Sequence, residues 1–203
     1  FTEPDHIQML RDTLKKFIKN EMPKSLVSKW DQEDYFPKDV FKKLVDLGVT
    51  SLTVPEEYGG SGVDMVATIA TIEELSSRSI GIASGFIQCA CYAGLNILES
   101  GSTEQKNELL PRVANGELLF SYGISEPDVG GDVASVSTIA RLENDEVIIN
   151  GSKRWCSGAL IADYIFTLVR SGPADERYRN LSIVLIPPNI KGVTLTPKNT
   201  MGL

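Results

Sequence analysis

From Ser79 to Leu98, twenty consecutive residues carry no charge. As a helix, that length would cross a bilayer. The stretch also holds Ser79, Ser84, Gln88 and Asn96, with glycines at Gly81, Gly85 and Gly94, so its hydrophobicity is modest. A helix enclosed by other helices fits better than a membrane span. The glycines would let a neighbouring element or a ligand approach the backbone closely. An enclosed helix needs a helical domain around it, and the flanking sequence supplies the pieces. Ile7, Leu10, Leu14, Phe17 and Ile18 follow helical spacing up to Pro23. A second helix is expected from near Pro37, burying Val40, Phe41, Leu44 and Leu47, with Gly48 as its left-handed cap. Residues 55–62, Pro-Glu-Glu-Tyr-Gly-Gly-Ser-Gly, form a turn-rich loop. Asp64 offers an N-cap to a helix bearing Met65, Val66, Ile69 and Ile72. Thr103 caps a short helix ending around Pro111.

After Phe120 the texture changes. Residues 136–142 and 146–150 read as strands around the polar turn Glu143-Asn144-Asp145. Asn150-Gly151 is a turn signal leading to a strand through Arg154 and Trp155. Residues 164–170 and 181–186 are strand-like, separated by a polar loop, and Val193 to Thr196 starts another strand. The expected fold is therefore α+β, with an all-α domain over residues 1–120 and an antiparallel β-barrel or sandwich-like domain over 121–203. Met201-Gly202-Leu203 ends the sequence straight after a strand candidate, which suggests part of a longer protein.

The net charge of -7, with no basic block, argues against general nucleic-acid binding. His6 is the only histidine, which excludes a multi-histidine metal site, and no metal ligand set is expected. Cys89, Cys91 and Cys156 are too few and too odd in number for a disulfide framework and point to a reducing compartment.

Two stretches carry candidate chemistry. Residues 122–132 read Tyr-Gly-Ile-Ser-Glu-Pro-Asp-Val-Gly-Gly-Asp. Gly130-Gly131 could turn consecutive N–H groups toward one anion, and Ser125 offers a hydroxyl before a Pro that fixes the chain direction. A plain β-connection accounts for the same residues. Residues 150–159 read Asn-Gly-Ser-Lys-Arg-Trp-Cys-Ser-Gly-Ala. Trp155 is either a core anchor or one wall of an aromatic ligand site. Ser157 either donates to a ring nitrogen or caps a turn.

With the 55–62 loop, these stretches occur in an order and spacing that resembles the acyl-CoA dehydrogenase family. The resemblance covers essentially the whole chain. It implies an N-terminal helical domain, a middle β domain and a C-terminal four-helix domain, the last without counterpart here. It also implies FAD, α,β-dehydrogenation of an acyl-CoA thioester with hydride passing to flavin N5, and an electron-transfer flavoprotein as acceptor. A homodimer or homotetramer, a role in fatty acid or amino acid catabolism, and a cytoplasmic location (mitochondrial matrix in a eukaryote) follow from the same likeness. By position, Tyr122, Ile124 and Ser125 match residues meeting the flavin ring, and Gly130 and Gly131 match the pyrophosphate turn. Trp155 matches the residue packed on the isoalloxazine, and Ser157 the hydroxyl near N5. Gly131 and Tyr92 are the candidate substrate contacts, and residues 84–95 are expected along the acyl tunnel. The catalytic base is expected in the C-terminal domain, so residues 1–203 alone are expected to be inactive. Gly131 departs from the family's usual Ser, which removes a hydroxyl but keeps the N–H. Asp128-Val129 replaces a more usual Gly-Ala, and Cys156 an Ile. A flavin oxidase or monooxygenase on the same fold, and a non-catalytic interaction domain that has lost FAD, are the alternatives.

Overall fold

A computed structural model describes residues 3–198 of the chain. The chain divides into two compact units, one holding the residues up to Leu119 together with Pro197 and Lys198, the other running Phe120–Thr196. The terminal Met201-Gly202-Leu203 lies outside the described residues.

The first unit is helical. It contains α1 (Asp5–Glu21), α2 (Lys24–Gln32), α3 (Lys38–Val45), α4 (Met65–Ser76), α5 (Ile80–Phe86), a π-helical stretch Ile87–Leu95, α6 (Asn96–Ser100) and α7 (Thr103–Ala114). α1 buries Ile7, Leu14, Phe17 and Ile18, as its spacing predicts. Pro23 ends nothing for long, because it is the N-cap of α2. α3 buries Val40, Phe41 and Leu44, and Gly48 takes the left-handed conformation at φ 80°. Leu47 lies past the helix end and is exposed. The 55–62 loop is a single 3-10 turn, Glu56–Tyr58, between Pro55 and a left-handed Gly59.

The Asp64 carboxylate accepts from the Ala67 N–H at 2.9 Å, the expected N-cap bond of α4. The residues that helix buries are mostly not its large apolar ones. Met65, Val66 and Ile69 are exposed, while Ala67, Thr68, Ala70, Thr71 and Leu75 are buried. Two hydroxyls make this possible: Thr68 donates to the Asp64 carbonyl and Thr71 to the Ala67 carbonyl, both at 2.8 Å. With their hydroxyls satisfied inside the helix, small residues can face the core and let α1 pack closely. Arg11 on α1 ties the pair from outside, donating to Glu73 at 2.6 Å and Glu74 at 2.9 Å.

The uncharged stretch forms one helical run, Ile80–Ser100, which by length and composition alone could cross a membrane. Here Ile82, Ala83, Phe86, Cys89, Ala90 and Ala93 are fully buried within the unit, as in a core helix. Its centre widens to π geometry, and the Ala90 carbonyl accepts from the Thr53 hydroxyl at 2.8 Å. Gly94 permits that approach, since a Cβ there would lie 2.7 Å from the Thr53 hydroxyl. At Gly85 an added Cβ would meet the Phe36 ring at 2.7 Å and Phe41 at 3.3 Å. Gly85→Ala should therefore destabilise by about 1–3 kcal/mol through overpacking, read as a lower midpoint in urea. An unchanged midpoint would mean that Phe36 simply turns away. α7 starts from a capping box of Ser102 and Gln105, one residue before the expected cap. It also runs past Pro111 to Ala114, because the Pro111 carbonyl still accepts from the Asn115 N–H.

The second unit is a five-stranded sheet of β1 (Phe120–Gly123), β2 (Ile139–Glu143), β3 (Glu146–Asn150), β4 (Tyr164–Arg170) and β5 (Leu181–Ile186). The helical-then-β order is as expected, but the sheet is mixed rather than purely antiparallel. β4 is its centre. β5 pairs with it antiparallel, while β1 runs parallel along Tyr164–Thr167 and β2 touches it in parallel only at Arg170. β1 and β4 are joined by a long connection rather than a hairpin, which is what parallel pairing requires. β2 and β3 do form a hairpin, with Asn144 at φ 49° and Asp145 at φ 62°, the left-handed pair that suits strand twist. β1 lies in a stretch that reads as a loop by composition. No strand forms at residues 151–155 or 193–196.

Candidate functional site

β1 delivers the 122–132 stretch. The Tyr122 ring stacks on Phe166 of β4, its centroid 5.3 Å away, so this residue offers its main chain to the other side. Gly123 is required by close packing, since a Cβ would lie 2.9 Å from Ile165. Past Ser125 the chain folds into a turn from Glu126 to Val129, closed by the Glu126 N–H on the Val129 carbonyl at 2.9 Å. Pro127 occupies its second position, where a fixed φ is favoured. Gly130 and Gly131 follow, exposed, with open space where a Cβ would stand. Neither has the left-handed φ of an αR-αL anion nest. What the glycines leave is an uncovered backbone. Asp132 closes the loop, accepting from Ser135 Oγ at 2.5 Å and from Arg177 at 2.7 Å. The Ser135 hydrogen bond, with Arg177 adding to it, holds the Asp132 carboxyl below its ordinary value.

The 150–159 stretch lies directly against the first. The Arg154 N–H donates to the Ser125 carbonyl at 2.8 Å. The Lys153 ammonium donates to the Ile124 carbonyl at 3.2 Å, and the Ser121 hydroxyl to the Ser157 carbonyl at 3.0 Å. Trp155 sits in the left-handed region at φ 62°, an uncommon conformation for a bulky residue, and is 61% exposed. The Arg154 guanidinium lies 4.8 Å from the ring centroid. Trp155 is thus not a core anchor within this unit. The Ser157 N–H closes a three-residue turn on the Trp155 carbonyl at 2.9 Å. Burial pushes the Cys156 thiol up, with Lys153 pulling weakly the other way, so it is no ready nucleophile.

The two stretches are joined by an ion pair that sequence reasoning passed over. Glu126 is 4% exposed, and Lys153 donates to its Oε1 at 2.8 Å. Oε1 also accepts from the Thr138 N–H and hydroxyl at 2.9 and 2.5 Å, and Oε2 from the Ser137 N–H and hydroxyl at 2.7 and 2.6 Å. Burial alone would raise the Glu126 carboxyl, but Lys153 and the Ser137 and Thr138 donors outweigh it and hold the group well below the ordinary glutamate range. Gly151 belongs to the same knot, because a Cβ there would overlap Thr138. The signal available in the sequence is one acid and one base in two stretches that the resemblance places around the same flavin ring.

Ile124, Ser125, Trp155 and Ser157 are thereby brought into one neighbourhood, with Tyr122 on the strand leading in and Gly130-Gly131 one turn further along. Among the described residues the Ser125 and Ser157 hydroxyls make no hydrogen bond, so neither is a turn cap here. Tyr92 belongs to the other unit, half-buried on the π-helical stretch, where its carbonyl accepts from the Asn96 amide at 2.8 Å. No group of His, Cys, Asp and Glu among the described residues suits a metal ion.

Residues 4–117 match the family description "Acyl-CoA dehydrogenase, N-terminal domain", and residues 121–203 match "Acyl-CoA dehydrogenase, middle domain". The chain belongs to the acyl-CoA dehydrogenase family. Its similarity to a probable acyl-CoA dehydrogenase, YngJ, of Bacillus subtilis is 31% identity over 197 residues, covering 97% of this chain and 52% of that protein. The mitochondrial short-chain specific acyl-CoA dehydrogenase of Rattus norvegicus is 32% identical, over 96% of this chain and 47% of its own. An acyl-CoA dehydrogenase complexed with FAD, from Bacillus anthracis, superposes with a TM-score of 0.83 at 28% identity, over 98% of this chain and 33% of its own. The chain spans about half the length of the curated relatives it matches. As an acyl-CoA dehydrogenase middle domain, its sheet presents the two motif stretches side by side.

Proposed function

We propose that this chain supplies the flavin-facing part of an FAD-dependent acyl-CoA dehydrogenase, which removes the α-proton and β-hydride of an acyl-CoA thioester. The observation that carries this reading is the pair of hydroxyls, Ser125 and Ser157, that make no hydrogen bond among the described residues, on stretches joined by the Arg154 N–H to Ser125 carbonyl bond next to the exposed Trp155. Polar donors and a flat aromatic face together suit a heteroaromatic ring, and the uncovered Gly130-Gly131 backbone suits the pyrophosphate that follows it. FAD, when bound, supplies the two-electron acceptor. In this reading Ser125 and the main chain of Tyr122 and Ile124 meet the pyrimidine edge, Ser157 lies toward N5, and Trp155 packs on the ring. Gly131 lets the acyl-CoA pass close to the backbone, and Tyr92 contributes to the acyl site. No residue of this chain is proposed as the proton-abstracting base. An electron-transfer flavoprotein as oxidant and a homo-oligomeric assembly complete the reading.

Trp155→Ala, made in the protein that carries this chain, tests it. Loss of stacking worth about 0.5–1.5 kcal/mol, beyond the area buried, should weaken FAD binding about tenfold. The readout is the flavin-to-protein absorbance ratio after gel filtration. Since the indole is exposed without the cofactor, the apoprotein's melting temperature should hardly change. A normal flavin content in the variant would remove Trp155 from the site.

A further inference from the structure

We infer that Glu126 and Lys153 are positioning residues for the flavin, setting the geometry and local charge of the Ile124–Ser125 backbone. The inference rests on the FAD reading above and goes beyond it. Three observations support it. First, Lys153 bridges two acceptors, the Glu126 carboxylate at 2.8 Å and the Ile124 carbonyl at 3.2 Å. With the Ser125 carbonyl also taken by the Arg154 N–H, both carbonyls of the segment are tied to the second motif stretch. Among the described residues the Ser125 hydroxyl makes no hydrogen bond.

Second, the pair is insulated. The two side chains are 2% and 9% exposed, so their charges act on the neighbouring backbone through protein rather than water. Third, the carboxylate is over-determined. Four donors from Ser137 and Thr138 hold it independently of Lys153. A simple cross-link between two loops needs no such anchoring, whereas a fixed charge does.

This arrangement makes a prediction that simple bracing does not. The reduced cofactor carries more negative charge than the oxidised one, so an uncompensated cation beside it favours reduction and an uncompensated anion opposes it. Glu126→Gln leaves the Lys153 charge uncompensated and should raise the flavin midpoint potential. Lys153→Met leaves the Glu126 charge, still held by four donors, and should lower it. Lys153→Arg should bring the potential back toward wild type.

The experiment is a reductive titration of the FAD-loaded protein carrying the full chain, monitored by absorbance, with FAD retention measured in parallel. Shifts of opposite sign in the two variants are expected. Shifts of the same sign, or none, would overturn the inference and leave the pair as bracing. If Glu126→Gln does not fold, Lys153→Met with its Arg control still decides through the sign of its shift. Wild-type protein that retains no FAD would instead sink the function proposed above.

Discussion

Glu126→Ala should lower the stability of the β unit by about 3–5 kcal/mol, the usual cost of removing one partner from a buried ion pair. The ammonium of Lys153 would be left without a counter-charge, and the Ser137 and Thr138 N–H groups without their acceptor. The effect has a defined pH dependence. The native carboxyl is held below its ordinary value, so its contribution is fully present above the ordinary glutamate range. It is lost only as the pH falls through that range toward the depressed native value. Urea unfolding of wild type and variant should therefore show a constant gap from pH 7 to about 5, and a narrowing gap toward about pH 3. A gap that stays constant into acid would show that packing, not charge, is what the alanine removes.

Ser125→Ala and Ser157→Ala should each slow flavin reduction by acyl-CoA about 10- to 100-fold while leaving the melting temperature almost unchanged. A hydrogen bond to a charged or charging acceptor is worth about 1.5–3 kcal/mol. Charge that grows along the reaction feels it most at the transition state. Neither hydroxyl has a hydrogen-bond partner among the described residues, so neither substitution strands a buried group there. Stopped-flow reduction under anaerobic conditions, beside thermal melts, separates rate from stability. Wild-type rates with lowered melting temperatures in both variants would make these serines structural and remove them from the site.

Much of this architecture is legible in the sequence, and the places where it is not share a cause. Periodic apolar spacing located α1 and α3, and β3, β4 and β5 emerged from β-branched runs with correct bounds. The buried face of α4 is not legible from hydropathy, which ranks Met65, Val66 and Ile69 above Thr68 and Thr71. The threonine hydroxyls are satisfied within their own helix, and that lowers the cost of burying them. β1 is hard to read because it spans only Phe120–Gly123 and alternates its aromatics with Ser121 and Gly123; it is held by β4, which lies far along the chain. In the candidate site the residue types were readable, but the Glu126–Lys153 pairing depends on tertiary geometry. Asn150-Gly151 reads as a turn signal, whereas Thr138 leaves no room for a Cβ at Gly151.

The parallel pairing of β1 with β4 also governs when the site can exist. Phe120 lies opposite Tyr164, a separation of 44 residues, and both motif stretches fall inside that interval. Closing so long a loop costs entropy before any contact repays it, so this pairing forms late relative to the β2–β3 hairpin nested within it. During synthesis, Ser125 and Trp155 both emerge before the strand that aligns them. A chain cut short of β4 would carry both motif stretches without the strand that brings them together.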